Sequence, residues 1–202
     1  MKIEDNWSIL VIKMVERSKT VIDYEKNVIE VLNRNLGLIS TRQKSMKIED
    51  DTYSPVPDII IGPTSFEKGN RNEEYKELLQ KRKIKKLIKL LKGKALNADQ
   101  FSPEVNENPR VFIGIECENS TAKDAKHMLG SITNLSLMSK VGILVVYDHG
   151  KETLERIEKY LTFVERKEKI KHVDAFKNVF LITKSNFDDI LDKWENGRSL
   201  TE

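Results

Sequence analysis

Two glutamates near the middle of the chain are spaced so that they could hold a divalent metal ion. Glu116 and Glu118 belong to the apolar run at 111–118, which predicts a strand. Strand side chains alternate between faces, so these two carboxylates share one face. Carboxylates this close repel each other, and a bound cation is the usual means of keeping both ionised. The alternative is a pair of solvated acids at an exposed strand end.

Two further acids precede predicted core elements. Asp58 follows Pro57 and opens the short apolar run at 59–61, which is typical of a buried strand. Glu25 lies on the apolar face of a predicted helix, because apolar residues follow it at offsets of three, seven and eleven. The chain has one cysteine and three histidines, too few for a zinc cluster of the usual spacing. Any metal would therefore have oxygen ligands.

In their order, these motifs resemble those of the PD-(D/E)xK nuclease superfamily, whose restriction-endonuclease-like fold includes Holliday junction resolvases. The resemblance covers residues 20–148, from the helix that bears Glu25 through Pro57-Asp58 to the motif Ile-Glu116-Cys-Glu118-Asn. It implies that Asp58 and Glu116 ligate Mg²⁺ or Mn²⁺ and that Glu25 binds a second ion or a metal-bound water. The implied reaction is hydrolysis of a phosphodiester bond in DNA.

Glu118 stands where the family pattern usually has lysine, although some members carry glutamate there. The resemblance then implies that Glu118, together with Lys126 from the following helix, orients or deprotonates the attacking water. Lys123 is an alternative to Lys126. The alternative interpretation of either lysine is a solvated helix residue.

The positive charge of the chain is concentrated in one segment. Of the 35 Lys and Arg residues, eight lie within 81–94, which contains no acid, and 27 remain elsewhere against 32 acidic residues. Such a segment favours a localised anionic partner, and the residues expected to contact DNA phosphates are Lys81, Arg82, Lys83, Lys85, Lys86, Lys89, Lys92 and Lys94. A solvated or dimer-forming amphipathic helix and a membrane-surface helix are the alternatives.

The hydrophobic periodicity predicts strands that alternate with helices. The expected helices are 5–36 with a break near 18–20, 73–91, 122–138, 154–164 and 187–194; the expected strands are 57–62, 111–118, 141–147 and 179–183, with a weak one at 46–49. This alternation favours an α/β sandwich with a partly parallel sheet. The resemblance narrows it to a restriction-endonuclease-like core, a central mixed sheet flanked by helices, with a basic helical insertion at about 63–109.

Length and composition suit a single domain over 1–202. The chain is 39% apolar and 33% charged, and it has no apolar run that approaches the roughly 18 to 20 residues of a membrane span. Its amino terminus lacks a signal-peptide pattern, so we expect a cytoplasmic protein without a membrane partner. There is no phosphate-binding loop, and Asp148-His149, which follows a predicted strand, is interpreted as structural.

These observations together predict a metal-dependent DNA endonuclease, with a homodimer as one open arrangement. The alternative is a catalytically inactive DNA-binding protein on the same fold, since the motif lysine is replaced.

Overall fold

A computed structural model describes residues 4–42, 56–65, 69–119, 125–164 and 176–195, and for 4–19, 163–164 and 195 it describes the backbone alone. The helices are α1 (Glu4–Leu36), α2 (Asn72–Gln80), α3 (Arg82–Lys92), α4 (Ala125–Met138), α5 (Lys151–Val164) and α6 (Lys184–Glu195). The strands are β1 (Ser40–Arg42), β2 (Ile59–Thr64), β3 (Val111–Glu118), β4 (Ser139–Val146) and β5 (Val179–Thr183).

The five strands form one mixed sheet in the order β1-β2-β3-β4-β5. The pairs β1–β2 and β2–β3 are antiparallel, whereas β3–β4 and β4–β5 are parallel. Each parallel connection contains a helix, as a crossover between parallel strands requires: α4 joins β3 to β4, and α5 joins β4 to β5. The expectation of an α/β protein with a mixed sheet between helices is confirmed.

Helices cover both faces of the sheet. Apolar residues of α1, α2, α3 and α6 pack on one face against Ile113, Ile115 and Cys117 of β3. On the other face, α4 and α5 pack against Leu144 and Val146 of β4. Because neighbouring residues of a strand point to opposite faces, Glu116 and Glu118 belong to the face covered by α4 and α5, near its rim.

The helix expected over 73–91 is instead two helices, with extended backbone at Lys81. The last buried residue of α2 is Leu79 and the first of α3 is Ile84. Five residues of continuous helix would turn these side chains about 140° apart. The extended backbone at Lys81 changes the direction of the chain, so that both helices turn their apolar sides toward the core.

The first part of the chain also differs from expectation. Helix α1 runs from Glu4 to Leu36 without the break expected near 18–20, and that stretch contains neither proline nor glycine. Strand β1 was not expected, because three residues are too few to show a period. The weak strand expected at 46–49 lies outside the described residues.

The apolar side of α3 belongs to the protein core. Ile84, Leu87, Leu90 and Leu91 are buried there, and Ile88 packs against the same cluster. This covers the surface that a membrane-surface helix would have to present. In the part of the chain that the structure describes, no helix is long and apolar enough to cross a membrane.

Candidate functional site

The antiparallel pairing of β2 with β3 brings Asp58 beside Glu116. Ile59 pairs with Ile115, so the residue before Ile59 lies level with the residue after Ile115. The carboxylate of Asp58 then accepts a hydrogen bond from the backbone nitrogen of Cys117 at 2.9 Å. This bond holds the carboxylate of Asp58 at the backbone of Cys117, the residue between the two glutamates of β3.

Gly114 makes this close approach possible. A Cβ atom at position 114 would lie 2.9 Å from Cγ of Pro57 and would collide with Oγ of Ser139. Without a side chain, Gly114 leaves room for Pro57 to pack against β3. Pro57 thereby positions Asp58 near the end of β3.

The surroundings of Glu116 favour its protonated form. Burial is the main reason that the pKa of Glu116 is raised to about 9, and the nearby Asp58 raises it further. Glu118 and Glu25 add smaller contributions in the same direction.

Glu118 points along the same face as Glu116 but has a different partner. Its Oε1 accepts a short hydrogen bond from the Oγ of Ser131, which lies in α4. The side chain is half-buried. The sequence predicted the shared face correctly, but not Ser131, because nothing in the spacing indicates how α4 lies against β3.

Glu25 lies on the opposite side of the cluster and is only 4% exposed, as the apolar offsets predicted. It forms an ion pair with Arg42 of β1, an exposed residue that the sequence did not single out. Burial raises the pKa of Glu25, the charge of Asp58 adds to this, and Arg42 opposes it. Asp58 is therefore close enough to influence both Glu25 and Glu116.

Lys126 is exposed in the first turn of α4, five residues before Ser131. Five helical residues rotate a side chain by about 140°, so Lys126 and Ser131 leave the helix in different directions. The catalytic role of Lys126 remains a prediction that this geometry does not favour, and Lys123 lies outside the described residues.

The donor atoms that come together are those of two acids. Over the described ranges, no set of three or more His, Cys, Asp or Glu side chains is arranged to hold a metal ion. Mg²⁺ commonly uses one or two carboxylates and fills its other positions with water and substrate phosphate oxygens. The pair Asp58 and Glu116 fits that pattern, and its hard oxygen atoms fit Mg²⁺ or Mn²⁺.

The thiol of Cys117 lies on the other face of β3, in the core. Burial is the main reason that its pKa is raised well above the ordinary value, and the nearby acids raise it further. The group therefore stays a neutral thiol, and Cys117 is not suited to act as a nucleophile.

The charged side of α3 faces solvent. Seven of the eight basic side chains are exposed: Lys81, Arg82, Lys83, Lys85, Lys86, Lys89 and Lys92. Lys94 is half-buried, and its Nζ lies 2.9 Å from a carboxylate oxygen of Asp189. Lys94 is therefore less available to an external anion than the other seven residues.

The acid pair lies outside the cleft beside β1. This cleft of about 620 Å³ is lined in part by Ile39, Thr41, Ile60 and Lys81, but by none of the four acids. Of the four, Glu25 is buried, and Asp58, Glu116 and Glu118 are half-buried.

The chain matches no protein-family model, no curated protein and no solved structure. The features that bear on function are therefore the geometry of the carboxylates and the exposed basic helix.

Proposed function

We propose that this protein is a DNA endonuclease that depends on Mg²⁺ or Mn²⁺. The observation that carries the proposal is the placement of Asp58 beside Glu116 by the antiparallel pairing of β2 with β3, with Asp58 bonded to the backbone nitrogen of Cys117. Burial and the charge of Asp58 favour a proton on Glu116. A divalent cation would replace that proton and allow both groups to ionise.

The arrangement of the sheet supports the restriction-endonuclease-like form of this proposal. Glu25 projects from α1, Asp58 precedes β2, and Glu116 lies near the end of the neighbouring strand β3. These are the elements on which the resemblance requires the three acids. Helix α2 and the basic helix α3 lie between β2 and β3 in the chain, at the position of the expected insertion.

Each acid has a distinct part in the proposed reaction. Asp58 and Glu116 hold the cation, which when bound lowers the pKa of a water molecule and offsets charge on the phosphate. Glu118, oriented by Ser131, accepts a proton from the attacking water. Glu25, held by Arg42, orients a further water at the edge of the pair.

A polyanionic substrate would also contact the exposed side of α3. Its six exposed cations, together with Lys81 just before it, would neutralise backbone phosphates, which gives affinity that depends on salt and little on sequence. Such contacts position the duplex and do not select a cleavage sequence.

A catalytically inactive DNA-binding protein is the second candidate. One observation favours it: Glu118 stands where the family pattern usually has lysine. In that case α3 would still bind DNA, but the pair of acids would have no catalytic role.

An incubation series distinguishes the two candidates. Plasmid, linear, single-stranded and four-way-junction DNA are each incubated with the protein in Mg²⁺, Mn²⁺ or EDTA. For an endonuclease we expect cleavage that EDTA abolishes and that Asp58→Asn and Glu116→Gln reduce at least about 100-fold with little change in DNA affinity. Glu77→Gln, at an exposed site on α2, is the matched control and should cleave normally. Binding by the wild type without cleavage in any metal would favour the inactive protein.

A further inference from the structure

The turn after β4 brings a histidine to the end of β3. The backbone nitrogen of Tyr147 donates to the carbonyl of Glu118 at 3.0 Å. Two residues further on, Nε2 of His149 lies 3.3 Å from the carbonyl oxygen of Asn119, the residue that follows Glu118. The imidazole ring is exposed. It therefore stands at the same rim of the sheet as the acids.

The hydrogen bond to Asn119 fixes which nitrogen carries hydrogen. A carbonyl oxygen can only accept, so Nε2 of His149 must be the donor. In the neutral ring Nδ1 is then unprotonated, and in the charged ring it carries a proton that it can give away. The described residues provide no hydrogen-bond partner for Nδ1. This nitrogen is left to exchange protons with solvent or with a substrate.

Contacts around His149 hold the turn in place. Asp148 accepts a hydrogen bond from the Oγ of Ser185 at 2.6 Å. The nitrogen of Gly150 donates to the carbonyl of Tyr147 at 2.8 Å, and the ring of Tyr147 lies 6.2 Å from that of His149. The position of the ring is therefore set by β4 and α6 as well as by β3.

Phosphodiester hydrolysis needs a proton donor that the acids do not provide. When water attacks phosphorus, its proton passes to a base, and the bond from phosphorus to the leaving oxygen breaks. That oxygen departs more readily if a proton reaches it in the transition state. Glu118 accepts from Ser131, and in the proposed reaction it serves as the base.

We infer that His149 supplies this proton, from Nδ1 of its charged form to the leaving oxygen. The inference rests on the proposed nuclease function. The ring becomes neutral as the product alcohol forms, and it regains a proton from solvent before the next turnover. The water proton stays on the carboxylate until it too passes to solvent, so the protons balance over a cycle.

The test compares a substrate that needs the proton with one that does not. In DNA the leaving group is an alkoxide, whereas in a nucleotide p-nitrophenyl ester it is a stabilised phenolate. His149→Gln keeps an N–H donor near the position of Nε2 but cannot transfer a proton. We expect this variant to cleave DNA roughly 100-fold more slowly and the p-nitrophenyl ester at nearly the wild-type rate. His127→Gln, at an exposed histidine on α4, is the control.

Two outcomes overturn the role of His149 while leaving the nuclease proposal intact. One is cleavage of DNA by His149→Gln at the wild-type rate, as a merely structural hydrogen bond would allow. The other is equal slowing of both substrates, which would indicate a general distortion of the site. If His127→Gln shows the selective loss instead, the donor is the other histidine and the inference is wrong.

A further measurement does not depend on activity. Long-range proton–nitrogen NMR correlations should show neutral His149 protonated at Nε2. Protonation of the neutral ring at Nδ1 would contradict the inference, whether or not the protein cleaves DNA. An absence of cleavage by the wild type, with Asp58→Asn and Glu116→Gln behaving identically to it, would instead remove the proposed function and this inference together.

Discussion

Glu116 keeps a carboxyl group in a largely buried place beside a second acid, and this has a consequence for stability. Its pKa is raised to about 9 in the folded protein, mainly by burial and then by Asp58. In the unfolded chain the same group would titrate near the ordinary value of about 4.3. Between these two values the folded state keeps a proton that the unfolded state has lost. The favourable contribution of protonated Glu116 is therefore complete below about pH 4.3 and is lost as pH rises through about 9.

Glu116→Gln should remove this pH dependence. Glutamine keeps an N–H donor for Asp58 and has no proton to lose. In EDTA, we expect wild type and variant to have similar free energies of unfolding at pH 5, and the variant to be more stable by about 1 to 3 kcal/mol at pH 9. Thermal unfolding followed by circular dichroism, at pH 5 and at pH 9, measures the free energy of unfolding of each protein.

The matched control for this prediction is Glu77→Gln, whose stability should follow the wild type at every pH because the residue is exposed. A constant difference between Glu116→Gln and wild type from pH 5 to pH 9 would mean that the carboxyl group of Glu116 is not held in its protonated form.

At the scale of single residues, the sequence could predict which way the acids face but not their partners. Strand alternation and helical offsets indicated the orientation of Glu116, Glu118 and Glu25 without knowledge of the fold. Arg42 and Ser131 were missed, because they reach Glu25 and Glu118 from segments 17 and 13 residues away. Such contacts depend on how β1 lies against α1 and how α4 lies against β3. The periodicity of the sequence within one element does not indicate either arrangement.

Among the secondary-structure elements, α3 separates its two sides most sharply. Its apolar side is buried in the core, and its opposite side carries six exposed cations. The helix can therefore change its charge without losing its packing. This separation makes α3 a suitable place to test the proposed DNA contact.

Neutralising four exposed cations of α3 should weaken the salt dependence of DNA binding. The changes are to glutamine, which has a helix propensity close to that of lysine, at Arg82, Lys83, Lys86 and Lys89. If all four contact phosphates, the slope of log affinity against log salt should become shallower by about 3.6. Fluorescence anisotropy with a labelled duplex at several salt concentrations gives this slope.

The control for this experiment removes the same charge from exposed positions outside α3, namely Lys26, Arg110, Lys151 and Lys159. It should lower the slope much less. If the control lowers the slope as much as the α3 variant does, the attraction comes from net charge, and α3 is not the contact.

Most elements could be predicted from periodicity, because their apolar residues recur through several turns or strand pairs. The boundary between α2 and α3 was missed although the chain contains the signal, a step of five residues from Leu79 to Ile84. Strand β1 could not be found in this way. Its three residues are held by pairing with Ile59–Ile61 of β2, and pairing is a tertiary property.

In the molecule as a whole, the two ends of the parallel strands carry different groups. The acid pair and His149 lie at the end of β3 and β4 where these strands finish. Near the start of β4, Lys140 is fully buried, and its Nζ donates to Oδ1 of Asn72 at 2.9 Å and to the carbonyl of Asn106 at 3.0 Å. Lys140 thus ties α2 and the segment before β3 to the sheet. We assign stability to this end and chemistry to the other.

Lys140→Met should therefore lower stability without changing the acid pair. Methionine fills a similar volume but leaves the acceptors on Asn72 and Asn106 without a donor. Each unsatisfied buried acceptor costs about 1 to 3 kcal/mol. Part of this loss of stability is offset, because the variant no longer buries a charge. Burial already disfavours the charged form of Lys140 and lowers its pKa. We expect a net loss of about 1 to 3 kcal/mol in the free energy of unfolding, measured by urea denaturation.

The same variant tests whether the two ends are independent. Lys140 and Leu144, the β4 residue paired with Glu116, are four residues apart, or about 13 Å along the strand. Changes this far apart usually add to within about 0.5 kcal/mol. The rise in melting temperature that Mg²⁺ produces should therefore be the same in Lys140→Met as in the wild type, and should be lost in Glu116→Gln. A Mg²⁺ effect that disappears in Lys140→Met would show that the ends are coupled, and the division between stability and chemistry would be wrong.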